Sequence, residues 1–200
     1  MNANVDDAWQ SCDYDCSAHH GNAAGGFPEG KCGTGVNGSY HNASGWPLVN
    51  LTRYPDMQAM TAKAKALGLR PGFYMDTCEC AEHRWAEDKL MEHYAGDTQF
   101  LFQMGFDNVK IDSCSMFHDL GLWEQLLNQT GRPYIIEDCF QGGIVGNLSW
   151  CPFTHFRTGG DLSRESPVGS ALRLRALPRL RVAESATLRC RPLCPPRRLT

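Results

Sequence analysis

The sequence predicts an α/β chain, specifically a partial (β/α)8 TIM barrel covering about strands 2 to 6 of the eight, followed by a tail outside that fold. Three observations lead there. Strand-like and helix-like runs alternate from residue 3 to residue 138, which implies parallel strands joined by right-handed crossovers. Acids close four successive strand runs, at Asp6 and Asp7, Asp76, Asp112, and Glu137 and Asp138. In a barrel such strand ends converge on one rim, where the chemistry is found. Finally, composition changes abruptly at Leu162. A doubly wound open sheet also gathers ligands at strand C-termini, so the acids alone do not choose the barrel. At 200 residues the chain is shorter than the roughly 250 residues of a complete barrel.

The elements follow in order. Residues 3–8 read as a short strand ending in acids. From Ser11 to Trp46 the chain is rich in Gly, Asn and Cys, too long for an ordinary connection, which suggests a binding loop or a lid. Tyr54-Pro55-Asp56 opens a helix with apolar residues Met57, Met60, Ala64 and Leu67 at helical spacing, stopped by Gly68. Leu69 to Asp76 is the next strand, Glu82 to Met104 a helix closed by Gly105, and Asp107 to Asp112 a strand. Leu120–Leu127 reads as helix and Pro133–Asp138 as strand.

The formal net charge of −3 conceals an asymmetry. Residues 162–200 carry nine Arg, no Lys and two Glu, a net of +7, while residues 1–161 carry −10 and hold every aromatic residue. An Arg-rich segment can bind nucleic acid or anionic lipid. Here Pro178 and Pro192 interrupt any helical face, and the expectation is non-native sequence, such as intron read-through or a frameshift. The predicted organisation is therefore a partial (β/α)8 domain at 1–161 and a disordered or non-native tail at 162–200, with no nucleic-acid and no membrane partner. Eight cysteines precede Leu162, none at Cys-x-x-Cys spacing, and Asn-x-Ser/Thr sequons stand at Asn37, Asn42, Asn50, Asn128 and Asn147. Together they point to the oxidising secretory route, extracellular, lysosomal or vacuolar. Met1 leads directly into polar residues with no signal peptide, so the expectation is a fragment whose true start lies upstream. His19 and His20 with Cys12, Cys16 and Cys32 match no common zinc spacing, and no metal or other cofactor is expected.

Four segments in order carry a family resemblance. Val5-Asp6-Asp7-Ala8-Trp9-Gln10 resembles the "DDCW" segment of the α-galactosidase and α-N-acetylgalactosaminidase family, glycoside hydrolase family 27, and Gly72-Phe73-Tyr74-Met75-Asp76 is similar to its "GIYSD". Val109-Lys110-Ile111-Asp112-Ser113-Cys114 resembles its "LKYDNC" nucleophile strand, and Phe156-Arg157-Thr158-Gly159-Gly160-Asp161-Leu162 its "WRTTGDI" acid/base segment. The resemblance implies a retaining hydrolase of terminal α-D-galactosyl residues, with Asp112 as nucleophile and Asp161 as general acid/base. It implies that Lys110 binds sugar hydroxyls and favours charge on Asp112, and that Asp6 and Asp7 accept from the 4- and 6-hydroxyls. Tyr74 would line the pocket floor, Cys114 would be a further substrate-binding residue, and Arg157 would reach the sugar near its 2-position. Asp76 is expected to be a structural acid that fixes the loop after its strand. For the disulfides the resemblance implies Cys139–Cys151, Cys114 with Cys78 or Cys80, and Cys12 with Cys16 or Cys32. Two carboxyls are needed because one traps the oxocarbenium-like sugar while the other first protonates the leaving group, then activates water.

Departures from the family pattern matter. Ala8 stands where the family has a cysteine, and Phe140 where galactosidases carry a Glu that reads the 2-hydroxyl. A phenyl ring accepts no hydroxyl hydrogen bond, so a related α-linked sugar such as α-N-acetylgalactosamine is an alternative substrate. A catalytically inactive sugar-binding relative is the alternative from another class, and this truncated chain is a candidate for inactivity. A third reading, divalent-ion chemistry on the strand-end acids, is opposed by Lys110, whose ammonium would compete with the cation. Oligomeric state has no sequence signal.

Overall fold

The structure, a computed structural model, describes residues 2–13, 32–82, 84–112, 114–139 and 152–156. Five strands form one parallel sheet in the order β1-β2-β3-β4-β5: Asn2–Asn4, Arg70–Met75, Asn108–Ile111, Ile135–Asp138 and His155–Phe156. Three α-helices connect them: α1 (Met57–Ala66), α2 (Leu90–Met104) and α3 (Leu120–Gln129). The strand order never reverses. Among the described strands there is therefore no topological switch point, the feature that places ligands in a doubly wound sheet.

The pleat sorts each strand into two environments. On one face Phe73, Met75, Val109, Ile111 and Ile136 pack into a core with Trp9, Tyr40, Phe100, Phe106 and Trp123. The opposite face carries Gly72 and Tyr74 on β2, Asn108 and Lys110 on β3, Ile135 and Glu137 on β4, and His155 on β5, aligned across the sheet by the pairing register. Burying about 1.5–3 kcal/mol per large apolar side chain on the first face leaves the second free to be polar.

The observed elements differ from the sequence expectation in instructive ways. β1 ends at Asn4, so Asp6 and Asp7 lie just beyond the strand rather than within it. Helix α1 starts at its Asp56 cap, whose carboxylate accepts from Ala59 N at 2.8 Å. Its buried residues, however, are Met57 and Thr61, while Met60 and Leu67 are exposed. The cause is polar: the Thr61 hydroxyl donates to Met104 O at 2.6 Å, turning that face toward the end of α2. The helix expected from Glu82 is a 3-10 turn at Arg84–Lys89 followed by α2, leaving Glu82 outside it and fully buried. The long segment after β1 folds back on itself through bridges Gln10↔Val49, Cys12↔Gly33 and His41↔Pro47. It presses so closely on α2 that a Cβ at Gly96 would collide with the Gly45 carbonyl oxygen. The boundary at 161/162 and the Arg-rich tail lie outside the described residues.

Gly72 marks where three strands close on the polar face. Asn108 Nδ2 donates to Asn4 Oδ1 at 3.0 Å directly over it, and an added Cβ would collide with Asn4 Oδ1 and stand 2.9 Å from Asn108 Nδ2. Gly72→Ala is therefore expected to destabilise the chain by about 1–3 kcal/mol. The check is a lower urea midpoint with an unchanged slope; an unaltered midpoint would mean this three-strand contact is absent.

Candidate functional site

The site is assembled at the C-terminal ends of β1, β2 and β3, and each side chain is placed by its strand. Tyr74 lies on the polar face of β2 and is held from behind, because Trp9 Nε1 donates to its carbonyl oxygen at 2.8 Å. Its hydroxyl donates to Asp112 Oδ2 at 2.6 Å and lies 3.2 Å from Cys78 Sγ. Asp112 is 8 % exposed, at the first position past β3. A buried carboxylate facing a short phenol contact keeps an oriented oxygen, which is what a nucleophile needs. Burial first, then donation to Asp112, pushes the Tyr74 phenol well above its ordinary range, so it remains a donor.

Lys110 precedes Asp112 by two residues and shares its face. Its ammonium lies 4.5 Å from the Tyr74 ring centroid and 3.5 Å from Asp6 Oδ1. Asp6 itself is largely exposed, with its side chain 78 % accessible, and is available to a ligand. Asp7 is spent differently. One oxygen accepts from Gln10 Nε2 at 2.8 Å and Ala8 N at 2.8 Å, the other from Cys78 N at 2.9 Å and Glu79 N at 3.0 Å. Burial nevertheless outweighs these four donors and raises the Asp7 carboxyl above its usual range. Asp7 thus holds the loop after β2 against the end of β1, and Asp6 is the more accessible of the pair.

Asp76 braces a different loop from the one expected. Fully buried and in a left-handed conformation (φ 54°), it accepts from Ser115 N at 3.0 Å, from Phe117 N at 3.0 Å and from the Ser115 hydroxyl. It therefore fixes the loop leaving β3. Burial raises its carboxyl to about 7, opposed by those donors and by His118 at 3.7 Å.

Disulfides join the same loops. Cys78 pairs with Cys114, which resolves one open alternative, and Cys12 pairs with Cys80, which replaces the expected partners Cys16 or Cys32. The physical reason is that the segment after β1 packs across the end of β2, bringing the Cys12 and Cys80 Cα atoms to 6.2 Å. In the chain-entropy account bridges closing loops of this size contribute roughly 4 kcal/mol each. Both sulfurs near Asp112 are oxidised, so the Cys78–Asp112–Cys114 group offers no thiolates to a metal. Cys139 is buried; its expected partner Cys151 lies outside the described residues, as do Asp161, Arg157 and Phe140.

The sequence reading missed part of the polar face. Tyr74, Lys110, Glu137 and His155 are register neighbours in one row across β2 to β5. His155 Nε2 lies 3.2 Å from Glu137 Oε2, both partly exposed. Glu137 was legible as a strand-end acid, and its period-2 spacing from Ile135 would have put it on this face; His155 had no comparable signal.

No family model matches the chain, and no curated protein matches it. Among solved structures, an α-galactosidase (MEL1) from Saccharomyces cerevisiae is similar over 62% of this chain and 30% of its own length, at 18% identity and a TM-score of 0.48. The chain thus spans less than a third of that relative, and a score of this size does not establish a shared fold.

Peptide mapping without reduction should recover Cys12 cross-linked to Cys80 and Cys78 cross-linked to Cys114. Recovery of Cys80 joined to Cys114 would contradict the loop arrangement around Asp112.

Proposed function

We propose that the chain is part of a (β/α)8 barrel of a retaining glycoside hydrolase acting on terminal α-D-galactosyl residues, with Asp112 as nucleophile and Asp161 as general acid/base. The observation that carries this reading is the Tyr74–Asp112 contact at 2.6 Å, at a strand end where Lys110 and Asp6 also meet. The four-segment resemblance supplies the sugar class, and the sequential parallel strand order fits a barrel segment.

In the proposed reaction an Asp112 oxygen forms a bond to the anomeric carbon as the glycosidic C–O bond breaks, and Asp161 gives its proton to the departing oxygen. Asp161, now a carboxylate, takes a proton from water, whose oxygen displaces Asp112 and restores both acids with configuration retained. This requires the two carboxyls about 5–5.5 Å apart. Before attack the Tyr74 phenol holds the non-attacking oxygen of Asp112 and so orients the other; as charge leaves that carboxylate, the hydrogen bond weakens, which tunes rather than drives the step. Lys110 and Asp6 offer a donor and an acceptor to adjacent hydroxyls. Cys114, tied to Cys78, would form the wall beside Tyr74. Secretory-route localisation agrees with two disulfides at the site.

A second reading, sugar binding without turnover, is favoured by Phe140 in place of the acceptor for the 2-hydroxyl. One assay separates them: hydrolysis of a chromogenic α-galactoside in the presence of EDTA, with galactose binding measured in parallel. Asp112→Asn is expected to lower turnover on the order of 10³-fold or more while sugar binding persists. Unchanged turnover in that variant would remove Asp112 as nucleophile, and binding without turnover in the parent chain would favour the second reading.

A further inference from the structure

We infer that His41, Glu82, His93 and Asp97 form a proton-held clamp, centred on a doubly donating His41 imidazolium, that positions the loop leaving β3. The four side chains come from three separate segments: the fold-back after β1, the loop after β2, and helix α2. All four are buried, His93 the least at 5%. His41 Nδ1 lies 2.8 Å from Glu82 Oε1 and His41 Nε2 lies 2.8 Å from Asp97 Oδ1, while His93 Nδ1 lies 2.8 Å from Glu82 Oε2. A neutral imidazole has one N–H and one lone pair. With carboxylate oxygens against both nitrogens of His41, a neutral ring would press its lone pair against an anion, whereas the cation donates to both. His93 needs only its Nδ1 proton.

The clamp reaches the candidate site through Glu82, whose main-chain carbonyl accepts from Met116 N at 3.1 Å. Phe117, one residue on, has its ring centroid 5.7 Å from that of His41 and 6.0 Å from that of His93. Glu82 is thus a positioning residue for the segment between Cys114 and Phe117, which Asp76 also holds, at Ser115 and Phe117. This holds whether or not the chain hydrolyses glycosides.

A metal ion is the rival explanation, since His41, Glu82 and His93 present ligand atoms within 4.8 Å of one another and a His2Glu set suits zinc. The rings speak against it. They are stacked, with centroids 4.0 Å apart and planes inclined by 23°. An ion bound about 2.0–2.1 Å from each nitrogen must lie near both ring planes, and planes so disposed do not meet close to the nitrogens. Protons satisfy the same atoms without moving either ring.

The charged and titratable groups facing His41 are Glu82 from the loop after β2, Asp97 and the stacked His93 from α2, and Tyr40 beside it; Asp76 acts on Tyr40, Tyr94 packs on Phe117, and His118 lies 3.7 Å from Asp76. Burial alone would lower the His41 pKa, but Asp97 and Glu82 outweigh it and raise it to about 9. Burial would raise Glu82, yet His41 and then His93 hold it near 2. Burial lifts Asp97 above its ordinary range against the pull of His41; the proton between them stays on the imidazole because Glu82 favours the cation from the other side. A raised His41 stabilises the fold fully below its ordinary value of 6.5 and loses that contribution as pH climbs through about 9. A depressed Glu82 contributes above 4.5 and fails only as pH falls toward 2. Asp76, raised to about 7, has the same sign as His41 but a lower window, favouring the fold less as pH rises from 3.8 to that value. Subtracting a His41 variant isolates the clamp from it.

The test is nitrogen-15 imidazole NMR on the full chain between about pH 5 and about pH 10, with melting temperatures of the parent and His41→Gln across the same range. One histidine, absent from His41→Gln, is expected to keep both ring nitrogens protonated through about pH 8 and to lose a proton only beyond it. The fall in Tm across that alkaline step should be smaller in the variant. Should the variant not fold, the parent spectrum decides alone. The clamp is overturned if every histidine carries an unprotonated ring nitrogen by about pH 8, or if one equivalent of Zn²⁺ shifts the His41 and His93 resonances and raises Tm.

Discussion

The hydrogen bond from Tyr74 to Asp112 depends on a constraint more general than either residue: in paired parallel strands, alternate side chains must face opposite sides. Because β2 and β3 pair Phe73 with Val109 and Tyr74 with Lys110, the aromatic core and the polar row are two consequences of one register. Shifting β3 by a single residue would exchange Val109 and Lys110 between water and core, so apolar burial fixes the register and the register sets the site. Asp112 then needs only one more residue of chain to stand beside the Tyr74 hydroxyl.

What the strands align, the loops must hold. The loop leaving β3 is held by two buried acidic residues of opposite character. Asp76 collects backbone and hydroxyl donors at its own expense, its carboxyl raised by burial. Glu82 is held charged by two imidazoles and grips the loop with its main chain. The Cys78–Cys114 bridge ties the same loop to the end of β2. Three different interactions therefore restrain a short segment next to the candidate nucleophile, in keeping with the demand that a reacting carboxylate be pre-oriented. Asp7 does for the loop after β2 what Asp76 does for the next, and its four donors explain why one acid of the Asp6–Asp7 pair is structural while its neighbour stays open.

Much of this was legible in the sequence and some was not, for definable reasons. Strand–helix alternation and strand-end acids located β2, β3, β4 and the acid Asp112, because period and turn chemistry are local; Tyr74 and Lys110 were singled out by the four-segment resemblance alone. The apolar face of α1 was misread because Thr61 satisfies itself through the Met104 carbonyl, a tertiary contact that periodicity cannot register. Glu82 looked like a helix opener, since nothing near it in sequence shows the His41 that claims it 41 residues earlier. The Cys12–Cys80 bridge spans 68 residues and depends on how the fold-back lies over β2. His155 joined the polar row only through the pairing of β4 with β5.

The central claim is that an Asp112 oxygen attacks the anomeric carbon, and trapping that bond tests it most directly. Incubation with an activated fluorosugar of α-galactose configuration, whose glycosyl-enzyme breaks down slowly, followed by peptide mass mapping, should find one hexosyl adduct on the peptide containing Asp112. Adduct on another carboxylate, or catalytic turnover with Asp112 left unmodified, would contradict it.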